Sequence, residues 1–573
     1  MGFTVHWKVG DLGVGRETRT KRHRVRRILL WVVALVLLSL CRSSVAPWVY
    51  ESASSLAVRS ISHRIHYPWE YVRAVWDHLV HGESVYAEAC EDFTRLRPVE
   101  ESGPVSYVPA SRHPYMASNQ TNNMHCDAYM TDTYATAGPV GRNLRVNSRT
   151  QGFGGYGTVT VDRQGRLVAV FSNGRGFQLE LLDPYSLEEL ASHDLPSRPW
   201  YWILQGIMPW EYIGAGMYFY LDHLDRAIVP TTENTIQVIR TPTDDTSFDL
   251  IREYDLSDHV VPMRWPHRDS VAWVLPDWSG DYYWFATTGG MVGTVDASTG
   301  VVQTLRLEGE IIENSFAVTE EGVYILSDHA LYRFSQDGTG EVRVDWRTEY
   351  DRGPAKKPGH ITRGSGTSVS LVGGADGLAI ITDNAEPRIH LVFVDRRDGD
   401  VVCSEPLFAE GRSGTDISVA CFEHADDTGQ GTGRVSAVVE NNWGHHTFPH
   451  SRPESGLTRV DAARHEDGSY TCDTVWTNDV KGICVFKLSL GSGLVYTYWR
   501  DEDCPLTAWV LTAVDVATGR TAYTKLVGTG LGYNNWAGAL FIHPEDGALY
   551  STTIFGLVRI QDTEDNGTPL QSP

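Results

Sequence analysis

Several signatures are missing from this 573-residue sequence. It holds only eight Cys, and no two stand at CxxC spacing, which argues against a zinc ribbon and a thioredoxin-type redox pair. No nucleophile elbow, phosphate-binding glycine loop or zinc-protease helix motif occurs. Basic residues are scarce beyond position 27. The first 27 residues balance to +6 and the whole chain to −23, so the remainder carries −29. An acidic body of that kind repels phosphate backbones, so no nucleic-acid partner is expected.

Long apolar runs are also absent. The longest, ILLWVVALVLLSL at 28–40, follows Arg26-Arg27 and would span roughly 20 Å as a helix, short of the ~30 Å hydrocarbon core. That length suits a signal sequence, with the basic flank kept in the cytoplasm. Residues 1–46 therefore read as a basic segment followed by a cleaved signal peptide or an uncleaved signal anchor. Either outcome places the body outside the cytoplasmic membrane, secreted or tethered through 28–40. Export permits disulfides. Cys90, Cys126, Cys403, Cys421, Cys472, Cys484 and Cys504 follow Cys41, an odd number that leaves at least one thiol free or paired elsewhere.

What the sequence does contain is glycine, aromatics and a repeat. From Thr158 to Asp562, short apolar strands alternate with Gly/Asp turns in sets of four, A to D. The first set is TVTVD, LVAVFSN, FQLELLD and LEELASHDL, between 158 and 195. Eight such units of about 51 residues follow one another, the spacing of propeller blades. The eighth ends without a D strand, and LRVNSR at 144–149 can supply it, closing the ring and removing two sheet edges. The expected fold is all-β: a single, monomeric β-propeller of about eight four-stranded blades over 143–562, closed by an N-terminal strand. Residues 47–142 read as a helical and irregular segment packing on the propeller, with an amphipathic helix over 56–80 and a polar, turn-rich stretch at 113–134. Residues 563–573 read as a flexible tail.

Strand order sorts the polar residues by face. The A–B turns, such as DRQG at 162–165, DHLD at 222–225 and DWSG at 277–280, read as ordinary hairpin turns, with Asp222 and Asp277 structural. The opposite face, formed by B–C turns and D-to-A connections, collects Glu313-Asn314, Asp328-His329, Asp383-Asn384, Asp416, Glu440-Asn441-Asn442 and Asn534-Asn535. His360, His445, His446 and His450 join them. Carboxylates and amide oxygens converging on one axis are the ligand set of Ca²⁺, whereas polar turn residues at a solvated mouth need no ligand. The histidines read as a transition-metal site or as a polar loop. His125, Asp127 and Asp132 lie outside the repeats and read as a structural hydrogen-bonding group.

The stretch IIENSFAVTEEGVYILSDHALYRF at 311–334 resembles blades of the SMP-30/gluconolactonase and strictosidine-synthase-like propellers, as does the Asp-Asn pair in LAIITDNAEP at 378–387. The resemblance implies a divalent cation, usually Ca²⁺, on the channel axis, polarising a lactone or ester carbonyl in the hydrolytic members. The positions matching in type are Glu313, Asn314, Asp383, Asn384, Glu440 and Asn441. The segments VGTVDASTGVVQT at 292–304 and LTAVDVATGRTAYTK at 511–525 resemble pyrroloquinoline-quinone-type repeats, but lack the following Trp, and no adjacent Cys pair exists. The whole chain also resembles uncharacterised exported bacterial propellers.

Two functions remain open from the residues. One is a metal-dependent hydrolase of lactones or esters, with Asp328-His329 or His445 and His446 as general base, acting on a small-molecule substrate. The other is a non-catalytic propeller holding a glycan, peptide or protein partner, with Trp443, Trp536 and Tyr533 available to stack on a sugar. A quinone-type dehydrogenase is a third reading.

Overall fold

A computed structural model describes residues 102–564, apart from 152–153, 174–175, 199–215, 245, 261–268, 446–452, 502–507, 530 and 536. The signal segment, the helix expected at 56–80, His446, His450, Trp536, Cys41, Cys90, Cys504 and nearly all of the tail lie outside the described residues.

The chain is all-β and forms an eight-bladed propeller. Blades 1 to 7 occupy 154–195, 220–255, 271–306, 317–349, 370–406, 419–478 and 487–529, each an antiparallel set in the order A-B-C-D. Blade 8 takes strands A, B and C from 540–561 and its outer strand from Arg145–Thr150. The closing register runs from Arg145 opposite Gln561 to Thr150 opposite Gly556, so the strand just before blade 1 is zipped to the last described strand. Ring closure expected from the missing strand is what the fold uses.

Burial follows position in the blade. Strand B of blade 5, Leu378–Thr382, is buried throughout because both faces pack on neighbouring blades. Strand D of blade 4, Val342–Glu349, leaves most of its residues exposed or half-exposed, as an outer edge should. The A strands are largely buried, half-exposed only at one end of those in blades 1 and 6, and they surround the axis.

A recurrent latch joins blades on the outside. Tyr254 Oη donates to the carbonyl of Ala297 at 2.7 Å, Trp346 Nε1 to Arg396 at 3.1 Å and Trp476 Nε1 to Val516 at 2.9 Å. In each case a ring from strand D of one blade covers the C–D turn of the next. Two of the covered turns, 296–300 and 515–519, are the stretches that resemble quinone-type repeats. Here they act as β-turns: Asp296 Oδ1 accepts the amides of Ser298 and Thr299, and Gly300 closes the turn at φ +79°.

The polar segment before the first blade does more than lie on the surface. It enters the channel and bonds to the inner strands. Amides of Val161, Leu221, Val318, Leu371, Cys421 and Leu488 donate to carbonyls of Thr121, Asn122, Ala128, Tyr129, Thr131 and Asp132, at 2.8–3.0 Å. Thr121 Oγ1 reaches the Ile542 carbonyl at 3.0 Å, and Thr133–Tyr134 pairs in parallel with strand A of blade 7. Val161, Leu221, Val318 and Ile542 end their A strands, so the segment closes the channel on the A–B side. The cup that remains lies on the side of the B–C turns.

Candidate functional site

The floor of the cup is held by a buried ion cluster. Asp132, fully buried, takes Nδ1 of His125 at 2.9 Å and is paired with Lys487 Nζ, which also donates to the Met124 carbonyl at 2.8 Å. His125 Nε2 meets Ser368 Oγ at 3.1 Å. Burial would raise the Asp132 carboxyl, but Lys487 and His125 override it and hold it below its ordinary value. Each charge is satisfied, and Ser368, His125 and Asp132 are all buried, so this cluster fastens the channel segment to blades 5 and 7. Its structural role was legible in the sequence; its location was not.

Above the floor stand the acids. Glu313 precedes strand A of blade 4 and Asp416 precedes strand A of blade 6. Each is partly buried, and each has one carboxylate oxygen, Oε1 and Oδ1 respectively, sheltered and without a hydrogen-bond donor. Burial, reinforced by Asp328 and opposed by Thr362, pushes Glu313 up to about 7. Burial and the charge of Glu313 push Asp416 up to about 7. Glu440, at the end of strand B of blade 6, is fully buried. It takes Asn442 Nδ2 at 3.1 Å and the hydroxyl of Thr497, while burial, aided by Asp416, pushes it up to about 8. A Cβ on Gly482 would collide with Glu440 Oε2 and Thr497 Oγ1, so only glycine fits there. Tyr218, at the entry to blade 2, feels both Asp416 and Asp132, which links mouth to floor; burial with those charges lifts its phenol to about 12.

Other expected site residues are engaged elsewhere. Asp383 accepts the amide of His390 at 2.6 Å and its Nδ1 at 2.8 Å, capping its own B–C loop. Asn384 Nδ2 donates to the carbonyls of Arg352 at 2.7 Å and Ala355 at 3.0 Å, anchoring the connection into blade 5, although its Oδ1 is buried without a partner. Asn314 Nδ2 donates to Gly366 at 2.6 Å. Asn441 Nδ2 donates to Arg412 at 3.0 Å, and its Oδ1 accepts the Trp443 amide at 3.2 Å. Among the described residues, no three His, Cys, Asp or Glu side chains are grouped to hold one metal ion. Asp383 bonds to His390, and Glu440 to Asn442 and Thr497.

Asp328 and His329 do adjoin, with Nδ1 of His329 2.9 Å from Oδ1 of Asp328. Arg352 closes the unit, its Nη2 2.7 Å from Asp328 Oδ2 and its Nη1 2.6 Å from His329 Nε2. A guanidinium can only donate, so Nε2 accepts and Nδ1–H donates to the carboxylate. Both ring nitrogens are occupied. His445 is buried beneath the 358–360 turn. His360 nearby has both nitrogens buried without partners, and burial with the charges of Lys357, His445 and Lys356 holds it down to about 3, so its ring is neutral. Tyr533 bonds to Ser148 Oγ through its hydroxyl at 2.9 Å.

Asp416, Arg352 and Tyr218 were undervalued by sequence reasoning. Asp416 falls on the expected face, but nothing in its Gly/Ser-rich connection marks it as deeper than its neighbours.

The outer strands of blades 5 and 6 are joined by a Cys403–Cys472 disulfide, with Cα atoms 5.9 Å apart. Cys126, Cys421 and Cys484 are free and buried.

No protein-family profile matches the chain. An uncharacterised protein of Archaeoglobus fulgidus is 24% identical over 303 residues, which are 48% of this chain and 58% of that one. The chain thus matches little more than half the length of that relative. Solved structures similar to this one include the Cps50 (Swd1) β-propeller domain of Myceliophteria thermophila, at 11% identity and TM-score 0.35, covering 59% of this chain and 92% of that one. Sqt1 of Saccharomyces cerevisiae is 8% identical with TM-score 0.37, over 60% and 94%. BamB of Moraxella catarrhalis is 14% identical with TM-score 0.32, over 75% and 95%.

Proposed function

We propose that this protein is a non-catalytic, extracytoplasmic binding propeller whose acidic cup takes a hard divalent cation, Ca²⁺ being the ion the SMP-30-type resemblance implies. The observation that carries the reading is the pair of donor-free carboxylate oxygens, Glu313 Oε1 and Asp416 Oδ1, at the mouth of a blind channel. Sheltered carboxylate oxygens without donors are costly, and a cation relieves both the desolvation and the repulsion between the two acids. Two protein oxygens suit an ion that keeps most of its waters, rather than an all-protein cage. Such an ion leaves a hydrated face towards the open rim, where a glycan, peptide or protein partner could reach it.

The hydrolytic reading asks more. A lactonase or esterase needs a general base within reach of a metal-bound water, and His329 has both nitrogens committed to Asp328 and Arg352. Binding without catalysis requires no residue to be released.

The disulfide between blades 5 and 6 supports the extracytoplasmic part of the reading, because such bonds persist in oxidising compartments. The test of the cation is a thermal-shift series in chelator-treated protein with Ca²⁺, Mg²⁺, Mn²⁺ and Zn²⁺. A midpoint that rises with ion concentration, and fails to rise in Asp416→Asn, supports the proposal. A midpoint indifferent to all four ions rejects it.

A further inference from the structure

A cavity of about 310 Å³ opens between blades 2 and 3 on the A–B side, the face whose turns carry no expected function. Its walls are Tyr115 from the channel segment, Tyr220, Arg226, Arg252 and Tyr254 from blade 2, and Tyr283 from blade 3. We propose that this cavity binds a small aromatic carboxylate.

Three features point to that ligand. The first is an orphan: Tyr220, one of the lining residues, is 1% exposed, and its buried hydroxyl has no hydrogen-bond partner. His223, also in the wall, has its Nδ1 buried and equally unpartnered. Buried polar atoms in proteins are nearly always satisfied, so two orphans on lining residues of one cavity mark groups that a ligand, with a small shift of the wall, would satisfy.

The second is charge. Arg226 gives Nε and Nη2 to Asp222, each at 2.6 Å, and its Nη1 remains unused. Asp222 is saturated, since its other oxygen accepts the amides of Leu224 and Arg226 at 2.9 Å. Arg252 donates to the carbonyls of Ala297 and Ser298 at 2.9 and 2.8 Å and lies 4.7 Å over the Tyr254 ring. Two guanidinium groups against one carboxylate leave the walls net positive, in a body that is otherwise strongly acidic. A guanidinium with a free N–H beside an unpartnered hydroxyl is a carboxylate-recognition pair.

The third is shape. Tyr115 packs edge-on to His223 at 5.1 Å and lies against Gly280, where φ is +76° and a Cβ would strike the ring. Tyr254 and Tyr283 are 5.6 Å apart on the facing side. Aromatic walls around a volume at the lower end of ligand sites, roughly 300–1,000 Å³, fit one planar ring and its acid group.

The test is calorimetric titration of the whole chain with 4-hydroxybenzoate and with its uncharged amide, 4-hydroxybenzamide. Saturable binding of the acid, with the amide at least about tenfold weaker, is expected. Tyr220→Phe removes only the orphan hydroxyl; its melting temperature should equal or exceed wild type, while affinity for the acid falls about tenfold. Equal affinity for acid and amide, undiminished binding by Tyr220→Phe, or no saturable binding of 4-hydroxybenzoate overturns the proposal. Because the cavity lies on the face opposite Glu313 and Asp416, Asp416→Asn should leave this titration unchanged, so its outcome is separable from that of the cation site.

Discussion

Asp416, at the entry to blade 6, feels the charge of Glu313, at the entry to blade 4, and each keeps a sheltered oxygen that no donor reaches. The ring brings within electrostatic reach two acids that the chain holds far apart.

Stability of the chelated protein should fall as pH rises. Glu440, Asp416 and Glu313 sit at about 8, 7 and 7 when folded, above ordinary carboxyl values. The folded state therefore holds more protons than the unfolded one across that window. Their stabilising contribution is full below about pH 4.5 and is lost as pH climbs to about 8. Urea midpoints at pH 5 and pH 8 should differ, with the lower value at pH 8. Glu440→Gln should flatten the difference.

Asp132 predicts the opposite slope from the opposite cause. Its carboxyl is held down by Lys487 and His125, so its contribution is present above its unfolded value, near pH 4, and is lost as pH falls through the lower folded value. Asp132→Asn leaves Lys487 buried without its counter-ion and should cost about 3–5 kcal/mol in chemical unfolding. Pairing it with Lys487→Met should recover part of that loss. If the single variant unfolds like wild type, the channel segment is not fastened by this cluster.

Much of this fold could be read from the residues, and the reasons are local. Period-2 alternation and Gly/Asp turns indicated about eight blades, and the eighth unit's missing strand pointed to 144–149, where the closing strand Arg145–Thr150 lies. The sides of the ring were also legible, because up-and-down order allows no choice. Depth was not. Asp383 and Asp416 look alike in sequence, yet one is hydrogen-bonded by His390 seven residues on, whereas the other feels Glu313 from a distant blade. Nor could alternation reveal the channel segment, whose 113–134 stretch forms no repeat and bonds one backbone group at a time to successive blades.

The Cys403–Cys472 bond closes a 69-residue separation. Loop-closure arguments put its contribution at about 2–4 kcal/mol. Cys403→Ser should lower the urea midpoint, a reductant should do the same to wild type, and the two treatments together should do no more than either. A midpoint insensitive to reductant would show that the bond does not form in the folded protein.

At Gly482 the fold has no room for a methyl group beside Glu440 and Thr497. Gly482→Ala should destabilise by about 1–3 kcal/mol, the usual penalty of overpacking, and differential scanning calorimetry would register it as a lowered midpoint. An unchanged midpoint would mean that Glu440 is not packed against that backbone.

The most direct measurement of the central claim is a calorimetric titration of chelator-treated protein with Ca²⁺ near pH 8, beside Asp416→Asn and Asp383→Asn. The account predicts one saturable site in wild type, its loss in Asp416→Asn and its survival in Asp383→Asn, whose carboxylate serves His390. Loss of binding in Asp383→Asn with retention in Asp416→Asn, or no site in wild type, would contradict it.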